Sequence, residues 1–436
     1  MRYVIIGAGV AGISAIEAIR SVDAVGEIIM ISDDPFGFYS RPGLAYYLTG
    51  ELPDKALFPR AKEHYQRLNF NFLKARVTRI FRSDRAVLVD GKSRLTYDKL
   101  LIAVGARAMP LEVSGANLDG VVKLDHLGDA RHIMKLARRG KTAVVVGGGI
   151  TALELTEGLL ARGMNVNYLL RGDRYWSNVL DKHESHVVED RLKEEGVILL
   201  HKAELKEITG RHGRVSQVRL QDGRVLKCDL LAFAVGISPC LELMEGTQLA
   251  KDRGILVNEQ LQTTDPDIYA AGDVAQVYDP LTGKSALDSL WNPAREQGQV
   301  AGWNMAGRRA AYLKSPPFNV TRLAGLTTTI IGVVGRGKDE DVIGIARGDS
   351  ETWRELPEAI IAQSGFDVNH MRLMVGENTL VGAIVMGDQT LSWPLQKMIA
   401  GKADISSIRD RILQPDAPLA DLIAQFWMHW RKEVAL

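Results

Sequence analysis

Arg2-Tyr3-Val4-Ile5-Ile6-Gly7-Ala8-Gly9-Val10-Ala11-Gly12 joins a β-branched run to a glycine-rich turn; a helical pattern follows over Ile13–Arg20, then a second strand over Glu27–Ile31. Strand, turn, helix and strand in this order make a βαβ unit whose turn can hold a pyrophosphate. Gly7 allows the tight turn, Gly9 lets the backbone approach phosphate, and Gly12 lets helix and strand pack closely, with Val10 and Ala11 completing the cradle. The helix N-terminus then offers unpaired N–H groups to the anion. A carboxylate after the second strand would accept hydrogen bonds from ribose hydroxyls. Asp33-Asp34 stands there, with Asp33 the first choice.

The pattern returns in mid-chain as Thr142–Val146, Gly147-Gly148-Gly149-Ile150-Thr151-Ala152, a helix through Leu160 and a strand over Asn165–Leu170. Gly147, Gly149, Ile150 and Thr151 would serve a second dinucleotide, and Ala152 replaces the third glycine, as the fingerprint permits. One such turn is weak evidence; two in the right strand context predict an α/β protein with two Rossmann-like domains. The second unit has no acid at the strand end, where Leu170 is followed by Arg171-Gly172-Asp173-Arg174. Arg171 and Arg174 can pair with a 2′-phosphate, which favours NADPH. The alternative is that both arginines are solvated turn residues and NADH binds.

The 436 residues exceed one core, and three domains are expected. With 54 basic and 53 acidic residues, no charge footprint for nucleic acid or an anionic membrane exists. No apolar stretch reaches the roughly 18–20 residues of a membrane helix, so no membrane span is expected. The N-terminal run reads as a strand rather than a signal peptide. The two cysteines, Cys228 and Cys240, match neither a Cys-x-x-Cys nor a zinc spacing, and a cytoplasmic protein is expected.

Two further segments, Leu100-Leu101-Ile102-Ala103-Val104-Gly105-Ala106 and Ile268-Tyr269-Ala270-Ala271-Gly272-Asp273-Val274, complete a resemblance to the pyridine nucleotide-disulfide oxidoreductase superfamily over about the first 310 residues. Tyr39-Ser40-Arg41-Pro42-Gly43-Leu44 and Leu290-Trp291-Asn292-Pro293-Ala294-Arg295-Glu296-Gln297-Gly298 are similar to the NADH:rubredoxin reductase and nitrite reductase flavoprotein branch. The resemblance implies a glutathione-reductase-like layout with a C-terminal α+β interface domain. The FAD domain would be discontinuous, over 1–112 and 247–313, with the NAD(P)H domain at 113–246 and the interface domain at 314–436. It implies FAD contacts from Arg41, Val77, Ala103, Gly105, Gly272 and Asp273, with Trp291 beside the isoalloxazine. It further places Glu154 near the nicotinamide and Gly236 in the NAD(P)H site. In the C-terminal part, Leu326–Val334, Val342–Ala346, Met371–Val375 and Thr379–Met386 read as strands, with helical patterns from Pro394. A homodimer through this domain is expected.

The single-cysteine branch of the superfamily carries a thiol where Pro42 stands here, so thiol relay and sulfenic acid chemistry are not expected. Tyr46 takes the place closest to a lysine often found near the flavin in ferredoxin reductases. Cys228 and Cys240 read as small buried hydrophobes. Asp181, His183, His186 and Asp190 read as polar positions of an amphipathic helix, so no metal is expected. Phe426, Trp427 and Trp430 form an aromatic stripe that packs on the protein's own core, with a partner-docking helix as the alternative. The implied activity is FAD-dependent NAD(P)H oxidoreduction toward a redox protein or complex subunit, rubredoxin- or ferredoxin-like. The alternatives are an oxidase or quinone reductase and a redox-sensing flavoprotein that acts through assembly.

Overall fold

A computed structural model describes residues 1–280, 283–335, 360–366 and 369–434. Its first sheet has the order Ile268–Ala270, Lys99–Ile102, Arg2–Ile6, Glu27–Ser32, Asn71–Lys74, parallel throughout. Tyr3, Val4, Ile5 and Ile6 are buried, as a β-branched central strand covered on both faces requires. The opening helix runs over Val10–Arg20, one turn earlier than its apolar pattern suggests. It packs along the helix Trp291–Met305. Contact is close because a methyl group on Gly298 would collide with the Ala11 carbonyl, and one on Gly302 with that of Ala15.

The second sheet repeats this plan as Ile198–His201, Asn165–Leu170, Thr142–Val146, Leu230–Phe233, Val121–Lys123, again parallel. Its last edge strand precedes the unit in sequence, whereas that of the first sheet arrives from far downstream. The chain passes between the two sheets through an antiparallel ribbon of Ala106–Ala108 and Ile237–Pro239. Backbone bonds from Met109 N–H to the Gly236 carbonyl at 2.9 Å and from Cys240 N–H to the Gly105 carbonyl at 3.0 Å extend it.

The C-terminal sheet is antiparallel, in the order Phe318–Leu323, Leu326–Gly332, Leu380–Met386, Asn369–Val375, Ile360–Phe366. Its three inner strands, Leu326–Gly332, Leu380–Met386 and Asn369–Val375, are buried along most of their length because both faces are covered. Ile330, Met374, Ile384 and Met386 face the core of the second sheet. Their neighbours Ile331, Leu373, Val375 and Val385 face Leu395, Met398, Ile423 and Trp427 of the helices Ser392–Ala400 and Leu419–Glu433. This is the period-2 alternation of a strand with two buried sides. Trp427 is buried, with Phe426 and Trp430 packed partly buried against the same cluster, so the aromatic stripe serves this core. The expected strand Val342–Ala346 lies outside the described residues. The sequence reading missed Phe318–Leu323, which Ala324-Gly325 joins to the next strand. Both turn residues have positive φ, 47° and 76°, the requirement of a two-residue hairpin turn.

Candidate functional site

In both parallel sheets the strand order reverses beside the first strand, and ligands of open α/β sheets bind at that crevice, beyond the carboxyl ends of the strands. Gly7 and Ala103 leave the two strands flanking the crevice of the first sheet. Gly7 has φ +114°, and a methyl group there would collide with the Ala103 carbonyl oxygen. Gly147 meets the carbonyl of Ala234 in the same way, so the two turns are structural equivalents.

At the first crevice lies a cavity of about 700 Å³. Gly7, Gly9, Val10, Ala11, Asp33, Asp34, Arg41, Val77, Ala103, Gly105, Gly272, Asp273 and Trp291 line it. Gly12 alone of the FAD positions expected from sequence stands behind the wall, where its Cα faces the Gly7 carbonyl. The helices Val10–Arg20 and Trp291–Met305 both begin at the cavity, so their N-terminal N–H groups and dipoles favour an anion there. Ile150, Thr151 and Glu154, from the first turns of the second unit's helix, line the same cavity. Gly147, Gly149, Arg171, Arg174 and Gly236 lie outside it.

Asp33 and Asp34 differ in what they already hold. Asp34 accepts bonds from Phe36 N–H and from the Tyr39 hydroxyl, each at 3.1 Å, and so shapes the loop after the strand. The Tyr39 hydroxyl in turn accepts the Leu127 N–H at 3.0 Å, and burial pushes this phenol up to about 12. Asp33 is exposed, 3.9 Å from Arg76, and keeps acceptor capacity for a ribose. Arg76, absent from the sequence reading, also lines the cavity. Pro42 lines it from the N-cap of the helix Gly43–Thr49, and Trp291 stacks on Phe38 at 6.0 Å between ring centroids.

The strand Phe318–Leu323 closes the cavity from the C-terminal side with Asn319, Val320 and Thr321. These residues gave no signal in sequence because they touch the cavity only through the tertiary fold. Only one of the two cysteines is the small buried hydrophobe expected of both. Cys228 is fully buried, and burial pushes its thiol up to about 12, but Cys240 is half-buried and lines the cavity beside Arg107 and Glu242, which pair with each other. Burial raises the Cys240 thiol too, which keeps it protonated and a poor nucleophile.

In the loop after Leu170, Arg174 is held by Asp173 and the Ser177 carbonyl, each at 3.0 Å, while Arg171 is exposed. The four residues weighed as metal ligands do not converge. Asp181 caps its helix by accepting the Glu184 N–H at 2.8 Å, Asp190 pairs with Lys193, and His183 and His186 are exposed. Donor atoms of Asp181, Glu184 and His370 do lie together. Arg372 already supplies the positive charge there, donating to Glu184 at 2.9 Å, so the group reads as an ion-pair cluster between the helix Lys182–Glu194 and the strand Asn369–Val375.

The cavity fits a dinucleotide on its own geometry. Among the described residues, no atom beyond Gly9's own chain neighbours lies within 4 Å of where a side chain on Gly9 would begin, which leaves the backbone open to a pyrophosphate. Thr151 Oγ1, buried on the wall, has no hydrogen-bond partner among the described residues. No helix among the described residues is long and apolar enough to cross a membrane.

Two glycine turns on two parallel sheets, the first lining the cavity and the second sending the start of its helix to it, define a two-dinucleotide flavoprotein fold. The chain belongs to the pyridine nucleotide-disulphide oxidoreductase family, whose model matches residues 1–304. It is 30% identical over 349 residues to the rubredoxin-NAD(+) reductase of Pseudomonas putida, covering 79% of this chain and 89% of that protein. It is 27% identical over 418 residues to the assimilatory nitrate reductase electron transfer subunit of Bacillus subtilis, matching 95% of this chain but spanning only about half, 51%, of that relative. The fold matches that of putidaredoxin reductase in its covalent complex with putidaredoxin, with a TM-score of 0.85 at 23% identity over 97% of this chain and 98% of the other.

Proposed function

We propose that this chain is an FAD-dependent NAD(P)H oxidoreductase that passes electrons to a small redox protein or complex subunit of the rubredoxin or ferredoxin kind. The observation that carries the reading is a cavity in which the residues of the first glycine turn meet Thr151 of the second and Glu154 of its helix. FAD, when bound, supplies a centre that accepts a hydride and can release electrons one at a time. The chain's own residues bind and orient. The first turn and the N-terminus of Trp291–Met305 hold phosphate and flavin edge, Asp33 holds a ribose, Asp273 the ribityl or pyrophosphate region, and Trp291 flanks the ring. Glu154 and Thr151 seat the nicotinamide end. Pro42 leaves no thiol at that point on the wall, which fits direct delivery to an external one-electron acceptor.

The names of the relatives support such an acceptor: one is a rubredoxin reductase, another an electron transfer subunit. We divide the chain into an FAD domain at 1–112 and 247–313, an NAD(P)H domain at 113–246 and an interface domain at 314–436. The two parallel sheets and the ribbon between them support this division. The interface domain, which exposes Trp393 and Met428, would carry contacts with a second copy or a partner subunit. The lean to NADPH rests on Arg171, since Arg174 is engaged within its loop. A cytoplasmic location fits the free thiols.

Anaerobic titration of the yellow protein with NADPH and with NADH, followed by rubredoxin, ferredoxin and air as oxidants, tests the reading. Bleaching by a nucleotide and fast reoxidation by an iron–sulfur or rubredoxin-type protein are expected. A colourless protein that takes up no FAD, or reoxidation that air alone drives fastest, would overturn it. Arg171→Ala should weaken NADPH and leave NADH unchanged.

A further inference from the structure

We propose that Arg322 is a positioning residue for hydride transfer, setting the approach of the second glycine turn's helix to the flavin cavity. The proposal rests on the reductase reading above. Arg322 follows Asn319, Val320 and Thr321 on the strand that closes the cavity. Its guanidinium forks onto Glu51, with Nη1 and Nη2 donating at 2.7 and 2.6 Å, and lies 5.1 Å over the ring of Tyr46. Tyr46 and Leu44 line the cavity from the helix Gly43–Thr49, which ends just before Glu51.

That helix is locked to the nicotinamide side. Arg162 Nε donates to the Leu48 carbonyl at 3.0 Å, and a methyl group on Gly158 would stand 2.7 Å from Leu48 Cβ. Gly158 and Arg162 continue the same helix, Ile150–Ala161 and its cap, that brings Thr151 and Glu154 to the cavity. The turn after Arg322 grips this side again. Gly325 N–H donates to Glu157 at 3.2 Å, and Arg191 donates to the Ala324 carbonyl at 2.7 Å. The guanidinium fork thus ties the cavity wall to the flavin-side helix, and Arg162, Glu157 and Arg191 tie both of these to the nicotinamide side, so that the three form one frame.

A purely stabilising role predicts something else. The Arg322 and Glu51 side chains are 28% and 49% exposed, and ion pairs this open add little to stability. The planar fork, by contrast, fixes direction, which a lysine cannot do. Small misplacement of reacting groups has large kinetic effects even when folding is untouched.

The experiment uses the FAD-loaded full chain, mixed anaerobically with NADH or NADPH in a stopped-flow instrument. Arg322→Met should lower the limiting rate of flavin reduction by about tenfold to a hundredfold. The half-saturating nucleotide concentration and the FAD content should change little, and the long-wavelength charge-transfer absorbance of nucleotide on flavin should weaken. Arg322→Lys should fall between, and Glu51→Gln, which leaves the arginine in place, should reproduce the effect if the methionine variant folds poorly. An unchanged limiting rate, or a loss that only tracks lost FAD, overturns the assignment. A wild type that neither nucleotide reduces instead overturns the reductase reading, and this proposal with it.

Discussion

Adjacent side chains with the same chemistry separate once their partners are known. Asp33 and Asp34 both suit a ribose acceptor by position, yet Asp34 is bound to Phe36 N–H and the Tyr39 hydroxyl while Asp33 faces the cavity open. Asp33→Asn should therefore weaken FAD binding by the value of a charge-assisted hydrogen bond, about 1.5–3 kcal/mol, or roughly tenfold to a hundredfold. Asp34→Asn should instead lower thermal stability. Fluorescence titration of the apoprotein with FAD separates the two, and equal losses of affinity would count against the assignment. The thiols make a second pair. Cys240 should react slowly with a disulfide reagent and be protected by FAD, while Cys228 should react only on unfolding. Cys240→Ser should keep full turnover. The sequence shows that both thiols lack a motif, but not that one of them meets the cavity, because Cys240 reaches it through the pairing of Ile237–Pro239 with Ala106–Ala108.

At the scale of elements, glycine periodicity carried the fold. The turns at Gly7 and Gly147 were legible because steric need confines that residue type to that place. The close crossing of Val10–Arg20 on Trp291–Met305 was not, since Gly298 and Gly302 look like ordinary helix-weakening residues until their partner is seen. Backbone faces both positions and cannot swing aside as a side chain would. Gly302→Val should cost about 1–3 kcal/mol by overpacking, and roughly 1 °C of melting temperature per kcal/mol in a chain of 436 residues. Because both helices aim their N-termini at the same cavity, FAD should be lost at a lower temperature than that of the global melt. Flavin fluorescence release recorded beside circular dichroism on heating checks this, and coincident transitions matching the wild type's would refute it. The C-terminal sheet was half legible for a related reason. Leu326–Gly332, Asn369–Val375 and Leu380–Met386 announce themselves as apolar runs, whereas Phe318–Leu323 has mixed burial and no clean alternation, and its turn uses an alanine at φ 47° where glycine or asparagine is the usual signal.

Whole-molecule properties arise where segments far apart in sequence meet, and Glu157 marks such a meeting. It sits on the second unit's helix and accepts the Gly325 N–H from the C-terminal hairpin. The charged or titratable groups facing it are Arg322, Glu195, Glu51 and Tyr168. Burial pushes its carboxyl up to about 7 from the ordinary 4.5, more than Arg322 and the Gly325 N–H pull it down. The folded protein therefore binds a proton more tightly than the unfolded chain between about pH 4.5 and 7. Stability from this group is full below the unfolded value and is lost as pH rises through that window, levelling above about 7. Glu157→Gln keeps an acceptor for Gly325 and cannot ionise. The variant and wild type should melt at similar temperatures near pH 5, and the variant should gain as pH rises to 8, with the difference opening across pH 5–7. Thermal melts of the FAD-loaded proteins at matched ionic strength measure this. A difference that stays constant with pH would mean that Glu157 ionises at its ordinary value and that the junction between the second unit and the C-terminal hairpin does not sense pH.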